Sequence, residues 1–256
     1  MSAVMHETEV MLLALSEIAR ECWAAHSCAP SFDDKGKDLF DPVTDLDRSI
    51  ERAMRSKILK VFPADGVSGE EEGWSNEGAA RYWSLDPVDG TRALICGLPS
   101  WSVLVGLIEG DEHVAGMIDC PALDERLTAV NGVTRRNGSS VRSSGCVNVA
   151  KARLSTTDPY LFSGPEAEAF ERVRVNSLVV RYGLDALAYA RVATGGIDLV
   201  IENSLQRHDI DALVPVVRGA GGYIGDWHGG QDWNEGRIVA AATRELYDEA
   251  VALLAL

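Results

Sequence analysis

Apolar residues recur every three to four positions from about residue 8 to 25 and again from 45 to 62, which predicts two amphipathic helices early in the chain. In the second, Leu46, Ile50, Met54, Ile58 and Leu59 form one stripe, and Pro63 with Gly66 ends it. From residue 81 the period changes. Short β-type runs at 81–85, 101–108, 113–119 and 127–130 are punctuated by Gly90, Gly97, Gly110, Pro121 and Gly132. Their close spacing, with no helix between them, predicts antiparallel pairing. Beyond about residue 145, strands at 178–181, 199–201 and 238–241 alternate with helices near 185–193, 209–219 and 244–254, the rhythm of an α/β half. We therefore expect an α+β half over 1–145 and an α/β half over 146–256, with layered sheets and helices around one cleft.

The 256 residues are 46% hydrophobic, enough for a sizeable core without staples. Five scattered cysteines, Cys22, Cys28, Cys96, Cys120 and Cys146, contain no CxxC pair, so neither a zinc site nor a disulfide framework is indicated, and a reducing cytoplasm is expected. The N-terminus lacks the basic region and cleavage site of a signal peptide. No apolar run approaches the roughly 18 residues of a membrane span. A net charge of -15 disfavours nucleic acid and anionic lipid as partners. A small phosphorylated metabolite could still bind through bridging cations.

The run DPVDGT, Asp86 to Thr91, follows the apolar segment YWSL and precedes WSVLVGL, which delivers carboxylates to a sheet edge. Asp86, Asp89 and Glu70 offer oxygen ligands and Val88 a carbonyl, a donor set suited to hard ions such as Mg²⁺. Asp86 is the candidate bridge between two ions. Gly90, Thr91 and Arg92 would offer successive amides to phosphate oxygens, and the Thr91 hydroxyl would hold an attacking water and pass a proton toward Asp47. Asp209, at the start of a later helix, is a further candidate ligand. Each residue also has a plainer reading. DPVDG is ordinary turn chemistry, Thr44 or Asp45 caps a helix with Asp47 in its first turn, Glu70 to Glu72 are solvated loop charge, and Asp209 is an N-cap.

Taken together, PVTDLD, SGEEEG, DPVDGTRALICGLPSW, ATGGIDLVIE and HDIDALVPVVRGAGG, in that order, resemble the inositol monophosphatase superfamily of Mg²⁺-dependent phosphatases. The resemblance runs through nearly the whole chain. It implies a layered αβαβα sandwich of the inositol monophosphatase and fructose-1,6-bisphosphatase type, and a homodimer. By the family pattern, Glu70, Asp86, Asp89, Asp209 and the Val88 carbonyl would be metal ligands. Glu70, Thr91 and Asp47 would be catalytic, and the amides at Gly90 and Thr91 would hold phosphate. Glu202 matches a position that contacts the alcohol.

The segments DGTRALICGLPSWSVLVGL, GMIDCPALDER and RYGLDALAYA look more like the histidinol-phosphate phosphatase branch, and Arg92 is part of that signal. Asp185 with Glu202 would then meet the ammonium or imidazole of histidinol phosphate, and Asp209 would also lie at the substrate. Inositol monophosphate, a broader sugar phosphate or a phosphoadenosine nucleotide are the alternative substrates. A metal- or phosphate-sensing protein on the same fold is the alternative outside enzymes. One departure stands out: the family commonly has an aromatic residue before the metal-binding aspartate, and here it is His208, expected to pack in its place. Cys96 is expected in the core, Trp74, Trp83 and Trp101 in the core or cleft wall, and His113 and His228 on the surface. Lys35 and Lys37 receive no role.

Overall fold

A computed structural model describes residues 3–26, 32–34 and 42–255. Cys28, Lys35 and Lys37 fall outside the described residues. The first half runs α1 (Ala3–Ala25), β1 (Phe32–Asp34), β2 (Pro42–Thr44), α2 (Asp45–Val61), β3 (Gly66–Gly69), β4 (Gly73–Ser75), β5 (Arg81–Asp89), α3 (Thr91–Ile95), β6 (Ser102–Glu109), β7 (Glu112–Cys120), β8 (Glu125–Val130), β9 (Val133–Arg136) and β10 (Ser139–Ser140). The second runs β11 (Arg153–Thr156), α4 (Gly164–Asn176), β12 (Val179–Tyr182), α5 (Leu187–Ala193), β13 (Leu199–Glu202), α6 (Arg207–Gly219), β14 (Tyr223–Asp226), β15 (Ile238–Ala241) and α7 (Arg244–Leu254).

Two sheets separate three helical layers. The eight-stranded sheet has the order β10-β9-β8-β7-β6-β5-β3-β4 and the five-stranded sheet the order β12-β11-β13-β15-β14. Helices α1 and α2 cover one face of the larger sheet, α5 and α6 fill the space between the sheets, and α4 with α7 cover the far face of the smaller one. This is the layered αβαβα architecture expected. The antiparallel expectation holds from β5 to β10, but β3 runs parallel to β5. The division at 145 remains a proposal; that residue lies in the connection between the two sheets.

The α2 stripe is realised: Leu46, Ile50, Met54 and Ile58 are wholly buried, each contributing about 1.5–3 kcal/mol of hydrophobic stabilisation. Its N-terminus is closed by a capping box in which Thr44 accepts from the Asp47 amide and Asp47 from the Thr44 amide. The central layer depends on close approach. A Cβ at Gly106 would lie 2.7 Å from the backbone carbon of Asp211, and one at Gly116 would lie 2.5 Å from Cγ of Pro215. Two glycines on adjacent strands thus admit the α6 backbone against the sheet. Pro215 inside α6 has no N–H to give the carbonyl four residues back, that of Asp211, so the helix is weakest where the sheet supports it.

Several expectations need correction. The His113 side chain is buried, not superficial. Its Nε2 lies 2.9 Å from Asp211 Oδ1, and its ring meets Trp233 edge-on. Cys96 is exposed rather than in the core, because α3 ends there, at the surface. Trp83 and Trp101 are buried as expected, whereas Trp74 is exposed and packs on Tyr82.

Candidate active site

The DPVD segment is the end of β5 rather than a free turn. Asp86 pairs with Leu104 and Asp89 with Ser102, so three steps on β5 oppose two on β6. This is a β-bulge, and Pro87 sits inside it, where a missing amide donor is tolerated. The bulge has a chemical result. Residues three apart on a regular strand face opposite ways, but the extra residue turns Asp86 and Asp89 to the same side. Asp209 joins them from the first turn of α6, and one carboxylate oxygen from each of the three lies within 4.8 Å of the others.

Local bonds hold each group. Asp86 Oδ1 accepts from the Val88 amide at 3.0 Å. Asp89 Oδ2 accepts from Ser102 Oγ at 3.2 Å and from the Ala186 amide at 2.6 Å. The latter is presented by Asp185, whose φ of 48° turns the chain into α5. Asp209 is not the cap of α6: Gln206 is, and its amide donates to Asp209 Oδ2 at 2.6 Å. His208 does not pack as the aromatic substitute expected. It is partly exposed, with Nε2 3.6 Å from Asp209 Oδ1.

The electrostatics follow from crowding. Burial, then the charges of Glu70, Asp89, Asp209 and Asp47, push the Asp86 carboxyl well above the ordinary range. Burial, then Asp185 and Asp209, do the same to Asp89. Asp209 is also raised, chiefly by burial, with His208 opposing. Three such carboxylates cannot all ionise side by side unless a cation joins them. The oxygen-only donor set suits a hard divalent ion, so the residues fit a metal. Glu70 follows β3 directly and stands outside the 4.8 Å group, although its charge reaches Asp86 and Asp209.

Thr91 and Asp47 are not joined by a hydrogen bond among the described residues. The Thr91 hydroxyl donates to the Val88 carbonyl at 3.0 Å, and the Asp47 carboxylate is engaged by Thr44. Asp47 is buried, which pushes it up to about 6 against the lowering bonds of Thr44. Gly90, at φ 81°, caps α3, and its carbonyl accepts from the Ala93 and Leu94 amides. A Cβ there would lie 3.0 Å from Asp185 Oδ2, so the glycine brings the chain close to that carboxylate.

Beside the cluster is a pocket of about 120 Å³ lined by Asp89, Asp185, Glu202 and Asp209 together with Tyr189 and leucines. Burial pushes Glu202 up to about 8, although it accepts from the Thr157 amide at 2.8 Å and the Thr157 hydroxyl at 3.0 Å. Burial pushes Asp185 to about 6, with exposed Arg92 opposing the rise. Tyr189, Thr157 and Ser102 escaped the sequence reading. The signal for Tyr189 was its place in the segment RYGLDALAYA, four residues after Asp185.

Alternating helix and sheet layers with carboxylates gathered at one bulged strand end are the architecture of metal-dependent phosphoric monoester hydrolases. The family model of the inositol monophosphatase family matches residues 7–255, and the chain belongs to that family. The bifunctional phosphatase IMPL2, chloroplastic, of Arabidopsis thaliana is 42% identical over 215 residues, which are 83% of this chain and 62% of that protein. The histidinol-phosphatase of Mycobacterium tuberculosis is 31% identical over 257 residues, covering 97% of this chain and 98% of that protein. Among solved structures, an inositol monophosphatase from Zymomonas mobilis matches with a TM-score of 0.89 at 32% identity, covering 100% of both chains.

Proposed function

We propose that the protein is a Mg²⁺-dependent phosphomonoesterase whose substrate is histidinol phosphate, acting in histidine biosynthesis as a cytoplasmic homodimer. The observation that carries the substrate reading is the acidic pocket beside the carboxylate cluster. Asp185 and Glu202 line it, and among the described residues no lysine, arginine or histidine does. A cationic amine or imidazole finds its counter-charge there, and the attraction strengthens as water is excluded. The likeness to histidinol-phosphatases supports the same reading.

In this reading Asp86, Asp89 and Asp209, with Glu70 and the Val88 carbonyl, hold the ions. Bound there, divalent cations polarise the phosphoryl oxygens and make water a better nucleophile. The Gly90 and Thr91 amides receive phosphate oxygens. Thr91, whose proton is committed to Val88, accepts a hydrogen bond from the attacking water and so fixes its line of approach. For a proton to move on toward Asp47, Thr91 must release Val88 and rotate. Arg92, at the exposed edge of the site, meets the substrate on the side of Asp185.

A second reading, inositol-1-phosphate as substrate, is favoured by the fold match to the Zymomonas enzyme. Phosphate release with Mg²⁺, and with chelator, separates the two. We expect kcat/KM on histidinol phosphate to exceed that on inositol-1-phosphate by tenfold or more, about 1.4 kcal/mol of transition-state preference. The reverse preference would remove the histidinol assignment, and Mg²⁺-independent release would remove the mechanism.

A further inference from the structure

The Tyr189 hydroxyl is buried and has no hydrogen-bond partner among the described residues, although the residue lines the pocket beside the carboxylate cluster. The side chain is only 2% exposed. Its ring is gripped by the central hydrophobic layer, which phenylalanine would fill equally well. The hydroxyl is therefore the costly part of the residue, since a buried polar group that bonds to nothing loses its water for no return. The charges of Glu202, Asp209 and Asp89 reach it, yet none of these carboxylates accepts its proton. A phenol both donates and accepts. Such a group, unpartnered among the described residues and set close to carboxylates, is suited to a visiting donor that carries positive charge.

We infer that Tyr189 determines specificity: its hydroxyl accepts a hydrogen bond from a protonated nitrogen on the alcohol part of the substrate, while Glu202 supplies the counter-charge. The inference rests on the phosphatase reading above and narrows its substrate class to phosphate monoesters of small amino alcohols. Leu104, Leu161, Leu205 and Leu213 line the same pocket and cover the apolar body of such a molecule. Recognition by a buried polar group is sharper than by shape. A ligand lacking the matching donor leaves the hydroxyl and the carboxylates unpaired.

The test compares wild type and Tyr189→Phe on histidinol phosphate, on its des-amino analogue and on inositol-1-phosphate, each with Mg²⁺. The expected result is a loss in kcat/KM on histidinol phosphate at least tenfold greater than on the des-amino ester. Histidinol itself, titrated calorimetrically into the Mg²⁺-free protein, should bind the variant more weakly by a similar factor. The thermal midpoint should hold or rise, because the substitution deletes an unpartnered hydroxyl and keeps the ring. Equal losses on both esters, unchanged histidinol binding, or a fall of several degrees in the midpoint would each overturn the specificity role. These failures are distinct from failure of the underlying reading, which would appear as wild-type protein that releases phosphate from none of the three esters.

Discussion

Asp198 and Asp86 are equally buried, each 2% exposed, yet they live under opposite conditions. Asp198 accepts from Arg153 Nη2 and Nε, both at 2.7 Å, and from the Arg153 amide at 2.8 Å. Burial raises its carboxyl, but these bonds outweigh burial and hold it below the ordinary range. Asp86 has one amide donor, four neighbouring acids and, among the described residues, no basic partner, and it is pushed well up. Glu51 repeats the paired pattern: wholly buried, it accepts from Arg55 at 2.7 Å and from the Glu71 and Glu72 amides. The difference separates two uses of one chemical group. Where the chain supplies the cation, the carboxylate ties elements together; where it does not, the charge must be met from outside.

The contrast breaks most sharply at the cluster. Asp86→Asn should keep the fold and lose metal-dependent phosphate release by about 10³-fold, roughly 4 kcal/mol in the barrier. Turnover within a few-fold of wild type would mean that Asp86 is a structural acid like Asp198. The paired class should respond in stability instead. Arg55→Ala strands the Glu51 carboxylate and deprives the Val67 and Gly73 carbonyls of a donor. It should cost about 3–5 kcal/mol in urea unfolding, and a loss below 1 kcal/mol would deny the pair its anchoring role.

Glu202 lies between the classes, satisfied by Thr157 but raised by burial to about 8. An acid whose folded pKa exceeds its unfolded value of ~4.3 stabilises the fold fully below that value. The contribution is lost as pH rises through the folded one. Metal-free protein should therefore become less stable in urea between pH 5 and 8.5. Glu202→Gln should flatten that slope by on the order of 2 kcal/mol; parallel profiles for both proteins would show that Glu202 ionises without penalty. The smallest effect belongs to the surface. The Arg52–Glu72 pair has 67% and 32% of its side chains exposed, so Arg52→Ala should change stability by less than about 0.5 kcal/mol.

The same contrast explains what could be read from the sequence. The strands β5, β6 and β7 announced themselves through apolar runs, and α2 through its stripe and cap, because burial there repeats at a regular period. Strand β3 did not: Gly-Val-Ser-Gly carries almost no apolar signal, and the turn after it is held by Glu51, which accepts from the Glu71 and Glu72 amides. Helix α4 was missed because its polar and apolar residues are poorly segregated, and only Ala169, Phe170 and Val173 are buried. At the site, Asp86, Asp89 and Asp209 were legible as a set, and the structure brings them together. The bulge that makes the first two face one way was not, since it depends on register with β6. His113 was misjudged for a related reason: its partner Asp211 lies on α6, far along the chain.

Helix α6, wedged between the sheets through Gly106 and Gly116, also imposes an order of events. Asp86 and Asp89 stand on β5 and Asp209 far along the chain on α6, so the cluster closes only when a long-range contact is formed. Contacts of that range are slow, because chain entropy is surrendered before they reward it. An ion that favours the closed cluster then acts at the end of folding, drawing the finished state forward by mass action. A cation held by the three carboxylates would be a latch on assembly as well as a reagent.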